Sequence, residues 1–243
     1  MYYERRYYRH FIDKSLTSFE VTQGESNLFI SYKGNIDKFF LKEKIDNYLF
    51  EVRYILRETI KKYPNFLTSL KPIKINNMFL PSIIKKMLES AKLSDVGPWA
   101  GVAGAVSFYI GEKLLKNFSF QALYIENGGD CLLFSEKEIK LGIFIPTINK
   151  VIPIKLPPGK WGVSSSSSKK GHSLSFGNTD LATVIVKDNP ILSDTLATYF
   201  GNSKTISEAQ EKAEKKRNLY QGLLVNIKDK FLIDGDIFKK LIK

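Results

Sequence analysis

Between two short apolar runs, Phe120–Ile125 and Cys131–Phe134, the chain reads Glu126-Asn127-Gly128-Gly129-Asp130. Paired glycines supply the positive φ angles that short hairpin loops require, so this stretch predicts a tight bend between two antiparallel strands. The hairpin by itself needs no ligand. It leaves unexplained why an acid stands on each side of the bend and why the single cysteine of the chain, Cys131, follows at once.

The rest of the chain alternates between the two periodicities. Phe19–Tyr32 holds two apolar runs around Gly24 and predicts a second hairpin. Residues 38–62 carry Phe39, Phe40, Ile45, Leu49, Val52, Ile55, Leu56 and Ile60 at near-helical spacing, which predicts a long amphipathic helix ended by Pro64. A short extended piece at "KPIKI" precedes a second helix near Ser82–Ala91. Gly97-Pro98 opens a third through "WAGVAGAVSFYIGEKLL", because proline fits a first helical turn where its missing N–H is no loss. The small residues of that helix, Ala100, Gly101, Ala103, Gly104 and Ala105, admit either a packed neighbouring backbone or a flat ligand. Strand-like runs recur at Gly142–Ile145, Val151–Leu156, Leu181–Val186 and Gly222–Ile227, and Ser207–Leu219 predicts a charged helix. The sum is an α+β fold with hairpins and packed helices, without internal repeat or linker. At 243 residues and 43% hydrophobic composition, it is expected to form a single domain over residues 1–243, or two intimate lobes.

Composition excludes several classes. One cysteine and two histidines make neither a disulfide nor a structural zinc site. The first eleven residues are charged where a signal peptide needs an apolar core, and the most apolar stretch, Val96–Ile110, is shorter than the roughly 20 residues that span a bilayer. A cytoplasmic protein without membrane attachment is expected. The net charge of +12 is mostly lysine spread along the chain, with no arginine block and no nucleic-acid signature. A small anionic ligand accounts for it at least as well as nucleic acid.

Two segments carry candidate chemistry. Residues 163–177, "VSSSSSKKGHSLSFG", bring Ser165, Ser166, Ser167, Lys169, Lys170, Gly171 and His172 close together. Hydroxyls, free amides and lysines are the groups that hold phosphate oxygens, and the competing reading is a disordered surface loop. In Ile191–Asn202, with Ser193 as N-cap and Gly201 closing the helix, Asp194 and Thr198 stand one turn apart on one face. Such a pair offers two oxygen ligands to magnesium; the competing reading is an acid compensating the helix dipole and a threonine bonded to its own backbone.

The order of these pieces, a "GPWAGVAGA" helix, "ENGGD", "SSSSSKKGHSLSFG" and "ILSDTLATYFGN", resembles the ApbE superfamily of flavin transferases between about Val96 and Asn202. Within it the chain looks most like the small archaeal and bacterial branch known as uncharacterised protein family 0280. The resemblance implies an ApbE-like, T-fold-like arrangement of mixed sheets with packed helices. It implies FAD or FMN as ligand, with magnesium held at Asp194 and Thr198. It places Asn127, Gly128, Gly129, Asp130, Ser165, Ser166, Ser167, Lys169, Gly171 and His172 around the cofactor, with Asp130, Cys131 and His172 as candidate catalytic groups.

The sequence departs from the transferases at two points. Their helix lysine aligns at or near Gly104, and "HSLSFGNTD" stands where they carry histidine-aspartate-proline-arginine. A ligand-binding protein that is a poor FMN transferase is therefore expected, with an active FAD-dependent transferase as one alternative. The family branch suggests another: an accessory protein of sulfur assimilation and homocysteine formation in anaerobic archaea, in which an exposed Cys131 of lowered pKa would carry sulfur. A protein acceptor or sulfur-transfer partner and a homo-oligomer belong to the same expectations. A site-facing acid does little packing, so Asp194→Ala is expected to leave the fold largely intact.

Overall fold

The computed structural model describes residues 9, 13–167 and 179–239. Among these residues eight strands form one antiparallel sheet in the order β1-β2-β3-β4-β7-β8-β9-β10. They are β1 (Thr17–Gln23), β2 (Ser26–Lys33), β3 (Ala122–Asn127), β4 (Asp130–Ser135), β7 (Gly159–Ser166), β8 (Leu181–Lys187), β9 (Gly222–Ile227) and β10 (Lys230–Asp234). The hairpin β5 (Ile139–Ile145) and β6 (Lys150–Leu156) makes a separate two-stranded sheet. The expected α+β class is what the structure shows, with a large sheet whose strand pairs are all antiparallel.

Among the described residues six α-helices accompany the strands: α1 (Lys38–Lys62), α2 (Asn65–Thr68), α3 (Ser82–Ser94), α4 (Val102–Asn117), α5 (Pro190–Gly201) and α6 (Ile206–Lys216). A 3₁₀ turn over Pro98–Gly101 leads into α4. The predicted bounds of α1 hold, because Asp37 caps it by accepting the Phe40 amide at 2.8 Å and Pro64 forbids its continuation. Its buried stripe is Leu41, Ile45, Leu49, Val52 and Leu56. Phe39 and Phe40, which the spacing assigned to that stripe, point outward instead, at 80% and 44% exposure. Residues 71–75 adopt no regular structure, and α2, β7 and β10 were not foreseen. The larger correction concerns Val163–Ser166: read as part of a loop, these residues complete β7, paired with both β4 and β8.

Strand alternation divides the core. On one face of the sheet, Leu28, Ile30, Leu123, Ile125 and Leu132 pack against α1, α3 and α4. On the same face, further along, Ala182, Val184 and Val225 meet α5 and α6. On the opposite face, Leu133, Trp161, Val163, Leu181 and Leu224 meet Ile139, Ile143, Ile154 and Leu156 of the β5–β6 hairpin. Burying side chains of this size contributes about 1.5–3 kcal/mol each, so the hairpin is an integral cover of that face.

Candidate functional site

The β3–β4 turn is built as the glycine pair predicts. Gly128 and Gly129 have φ of +70° and +109°, and Asn127 pairs directly with Asp130 across them. A side chain at either glycine would meet open space or nothing closer than 3.9 Å, so their requirement is conformational. The first acid serves the turn itself: Glu126 Oε1 accepts the Gly129 amide at 2.8 Å, and its Oε2 accepts Arg9 Nε at 2.7 Å. Arg9 also binds Glu20 and Asn27, tying the start of the chain to β1 and β2. Nothing in the sequence signalled that long-range clasp.

The second acid points elsewhere. Asp130 and Leu132 face the helices, whereas Cys131 and Leu133 face the β5–β6 hairpin. Beside Asp130 lies Ser164 of β7, whose hydroxyl meets Ser193 Oγ of α5 at 2.8 Å. Sequence reasoning passed over Ser164, although its parity with Ser166 in a strand would have placed it on the helix face. Helix α5 itself starts at Pro190, four residues before the start that a Ser193 cap implies. Asn189 is the N-cap, accepting the Leu192 amide at 3.0 Å, and Ser193 lies inside the first turn, donating to the Pro190 carbonyl at 2.9 Å.

That first turn is gripped from two sides. A Cβ at Gly104 would stand 2.4 Å from the Pro190 carbonyl oxygen, and one at Gly162 would stand 2.4 Å from Pro190 Cα. The small residues of α4 thus admit a packed backbone, α5. The close approach lets Asp194 of α5 reach across: its Oδ2 accepts the Gly104 amide at 2.8 Å, and the Ala103 amide points to the same carboxylate. Asp194 is in effect the N-terminal cap of α4, supplied by another helix. The expectation that Asp194→Ala spares the fold is therefore revised, since that change would orphan buried amides. Asn127 donates to the Ala103 carbonyl at 3.3 Å and draws the hairpin turn to the same helix start.

The electrostatics of this corner are strained. Burial raises the Asp130 carboxyl to about 7, Glu126 adds to the rise, and the Ser164 hydroxyl and Ser165 amide oppose it. Burial and the neighbouring Asp130 charge push Asp194 well above the carboxylate range, against the pull of the Gly104 and Ala103 amides. Asp130 Oδ1 is sealed from solvent and has no hydrogen-bond partner among the described residues, and Ser167 Oγ is in the same condition. Two crowded carboxylates, one with an idle oxygen, are what a hard divalent cation relieves, and oxygen-only donors are its preferred set. Among the described residues no group of three or more His, Cys, Asp or Glu could hold a metal, so such an ion would rest on this pair with hydroxyl, backbone or ligand oxygens.

Thr198, one turn beyond Asp194, is buried and lines a narrow recess with Gly97, Ala100, Leu70 and Asn202. The recess has room for about one water, roughly 10 Å³ for its centre. The serines divide by parity. Ser166 packs against Gly201 at the end of α5, whereas Ser165 faces the other side of the sheet and meets Thr183 Oγ1 at 2.8 Å. Lys169, Lys170, Gly171 and His172 lie outside the described residues. The segments flanking them are anchored at this corner: Gly129 lies near the Ser165 carbonyl, and the Thr179 amide donates to the Gly201 carbonyl. Cys131 is half-buried, and burial, Glu126 and Asp130 hold its thiol well above the ordinary range. A sulfur-carrying thiolate needs the opposite conditions.

A family model described as AbpE bacteria matches residues 9–218. A UPF0280 protein of Methanocaldococcus jannaschii is 34% identical over 214 residues, covering 83% of this chain and 84% of its own. In fold, the chain resembles the apo flavinyl transferase ApbE of Pseudomonas stutzeri, with a TM-score of 0.57 at 13% identity over 95% of this chain and 98% of that one. It likewise resembles the flavin transferase ApbE of Vibrio cholerae, with a TM-score of 0.59 at 14% identity over 93% and 98%. Similarity of sequence over most of its length, joined to that fold, places the chain in the ApbE-like UPF0280 family.

Proposed function

We propose that the chain binds a phosphate-bearing ligand, a flavin nucleotide such as FAD or FMN, at the corner formed by the β3–β4 turn, the start of α4 and the α5 face carrying Asp194 and Thr198. A magnesium ion would be held there by Asp194 and Asp130, with the Thr198 hydroxyl as a further oxygen. The observation that carries the reading is the crowded acid pair, buried Asp194 and half-buried Asp130 with its sealed, unpartnered Oδ1, an arrangement that costs stability unless something cationic occupies it. When bound, such an ion supplies charge neutralisation for phosphate oxygens. The chain's own residues do the rest: Asn127 and the glycine turn set the edge of the site, and the Asp194 carboxylate fixes where α4 begins.

Efficient FMN transfer does not fit this corner. The transferase lysine expected at or near Gly104 is missing, and the contact with Pro190 leaves no space for a side chain there. Removing one group that stabilises developing charge costs on the order of 100- to 1,000-fold in rate, whereas binding is spread over more contacts. The accessory role in sulfur assimilation through Cys131 is the weaker alternative, given the thiol's raised pKa.

The test is calorimetric titration of FAD, FMN and ADP, with and without magnesium, into the parent and Asp194→Asn. Asparagine keeps an acceptor for the Gly104 amide and removes the charge. Magnesium-dependent affinity that falls in the variant, with the circular dichroism unchanged, supports the site. Equal affinity in both proteins refutes it.

A further inference from the structure

From Thr59 to Leu88 the chain has no aspartate or glutamate and six lysines: Lys61, Lys62, Lys71, Lys74, Lys85 and Lys86. All six are exposed. This acid-free stretch runs from the end of α1 through α2 into α3, with Lys61 meeting Glu58 at its border at 2.6 Å. A second acid-free stretch, residues 139–167, carries four lysines, and its most exposed large apolar side chains are Ile148 and Val151, at 45% and 59%. At the tip of the first stretch stand Met78 and Phe79, 84% and 92% exposed, the two most exposed large apolar side chains among the described residues.

The local structure fixes this projection in place. Phe66 is fully buried and packs edge-on to Trp99, and Leu80 is buried beneath the tip. Asn77 Oδ1 accepts the Phe79 amide at 2.9 Å, its Nδ2 donates to the Tyr63 hydroxyl at 3.1 Å, and Lys85 Nζ donates to the Met78 carbonyl at 2.7 Å. A chain that buries Leu80 and holds its neighbours outward gains nothing from them in its own fold. Beside the tip, Tyr63, Pro64, Ile73 and Ile75 with Lys62 and Lys74 wall an open groove of about 300 Å³.

We infer that residues 59–88 form a peripheral docking surface for an anionic lipid membrane, with Met78 and Phe79 entering the acyl boundary and the lysines meeting headgroup phosphates. An apolar tip on a segment whose only charges are exposed lysines, with Lys85 bonded to the tip itself, matches both layers of such a surface. A second copy of the chain is disfavoured, because a two-fold contact would set six lysines against six. The surface requires no spanning helix, and none among the described residues is long and apolar enough to cross a membrane. It stands independently of the flavin reading.

The experiment is co-sedimentation with vesicles of phosphatidylcholine alone or mixed with phosphatidylglycerol, across a salt series, in the absence of flavin and magnesium. Binding is expected only to the phosphatidylglycerol vesicles, weakening as salt rises. The double variant Met78→Ser/Phe79→Ser should weaken it by about ten-fold or more. Lys71→Gln/Lys74→Gln should weaken it by about five-fold for each lysine removed. Both variants alter exposed side chains, and unchanged circular dichroism verifies their folding. Failure to bind phosphatidylglycerol vesicles at low salt, or binding indifferent to both variants, overturns the inference. Tighter capture of single-stranded RNA or polyglutamate than of vesicles, or a dimer abolished by Met78→Ser/Phe79→Ser, reassigns the surface and overturns it equally.

Discussion

Asp130→Asn should change how stability depends on pH. In the folded chain Asp130 titrates near 7, against 3.8 for the unperturbed group. Between those values the folded state binds more protons than the unfolded state, so stability is greatest at low pH and declines as pH rises toward 7. A shift of about three pH units corresponds to a ceiling of about 4 kcal/mol. The residue is only partly buried although its Oδ1 is sealed, so about half of that is the better expectation. Urea unfolding of the parent between about pH 3.5 and pH 8 should therefore show a decline of roughly 2 kcal/mol, to which Asp194, also raised, adds with the same sign. Asp130→Asn removes one titration and relieves Asp194, so its profile should be flatter and cross the parent's. Magnesium should restore parent stability above pH 7 and do little near pH 5, where protons occupy the pair. Parallel profiles for parent and variant, without a magnesium effect, would refute the strained acid pair.

Further outcomes follow from the same corner. Gly104→Lys should lower stability by about 1–3 kcal/mol or more, because its Cβ collides with backbone, and should not create transfer activity; thermal melts and mass spectrometry of an acceptor peptide read both. Asp194→Ala should be less stable than Asp194→Asn by about 1–3 kcal/mol, since only asparagine still accepts the Gly104 amide, and denaturant titration compares the two. The parent, given FAD, magnesium and a threonine-containing peptide, should add little or no FMN; efficient addition abolished by Asp194→Asn would show an active transferase. Cys131 should resist alkylation in the folded protein near pH 7 and react on unfolding, with mass spectrometry following the adduct.

Much of the architecture was legible because its local signals were strong. The bend at Gly128-Gly129, the stop at Pro64 and the stripe from Ile45 to Leu56 each dictate their element with little tertiary help. What escaped was decided by partners far along the chain. Ser164 and Ser166 look like loop residues in a serine run, and they are strand residues because β4 and β8 hydrogen-bond on either side and α5 needs small neighbours. Phe39 fits an apolar stripe by spacing and lies outside because the sheet meets α1 along Leu41 and Ile45. At the site, Asp194 could be singled out from its motif, but not its service to α4, which depends on a contact across 90 positions. Arg9 carried no signal at all.

The sheet also bears on the order of folding. Every neighbouring pair in it is close in sequence except three: β4 and β7 are separated by the β5–β6 hairpin, β2 and β3 by residues 34–121, which hold four helices, and β8 and β9 by residues 188–221, which hold α5 and α6. For an unstructured chain, the length-dependent part of closing that second gap is about 4 kcal/mol. On a ribosome, β1 and β2 emerge first, yet β2 must present one edge unpaired until α4 has been made and β3 follows. The N-terminal hairpin is thus the part of the sheet exposed for longest to mispairing, through the edge of β2 that β3 later covers.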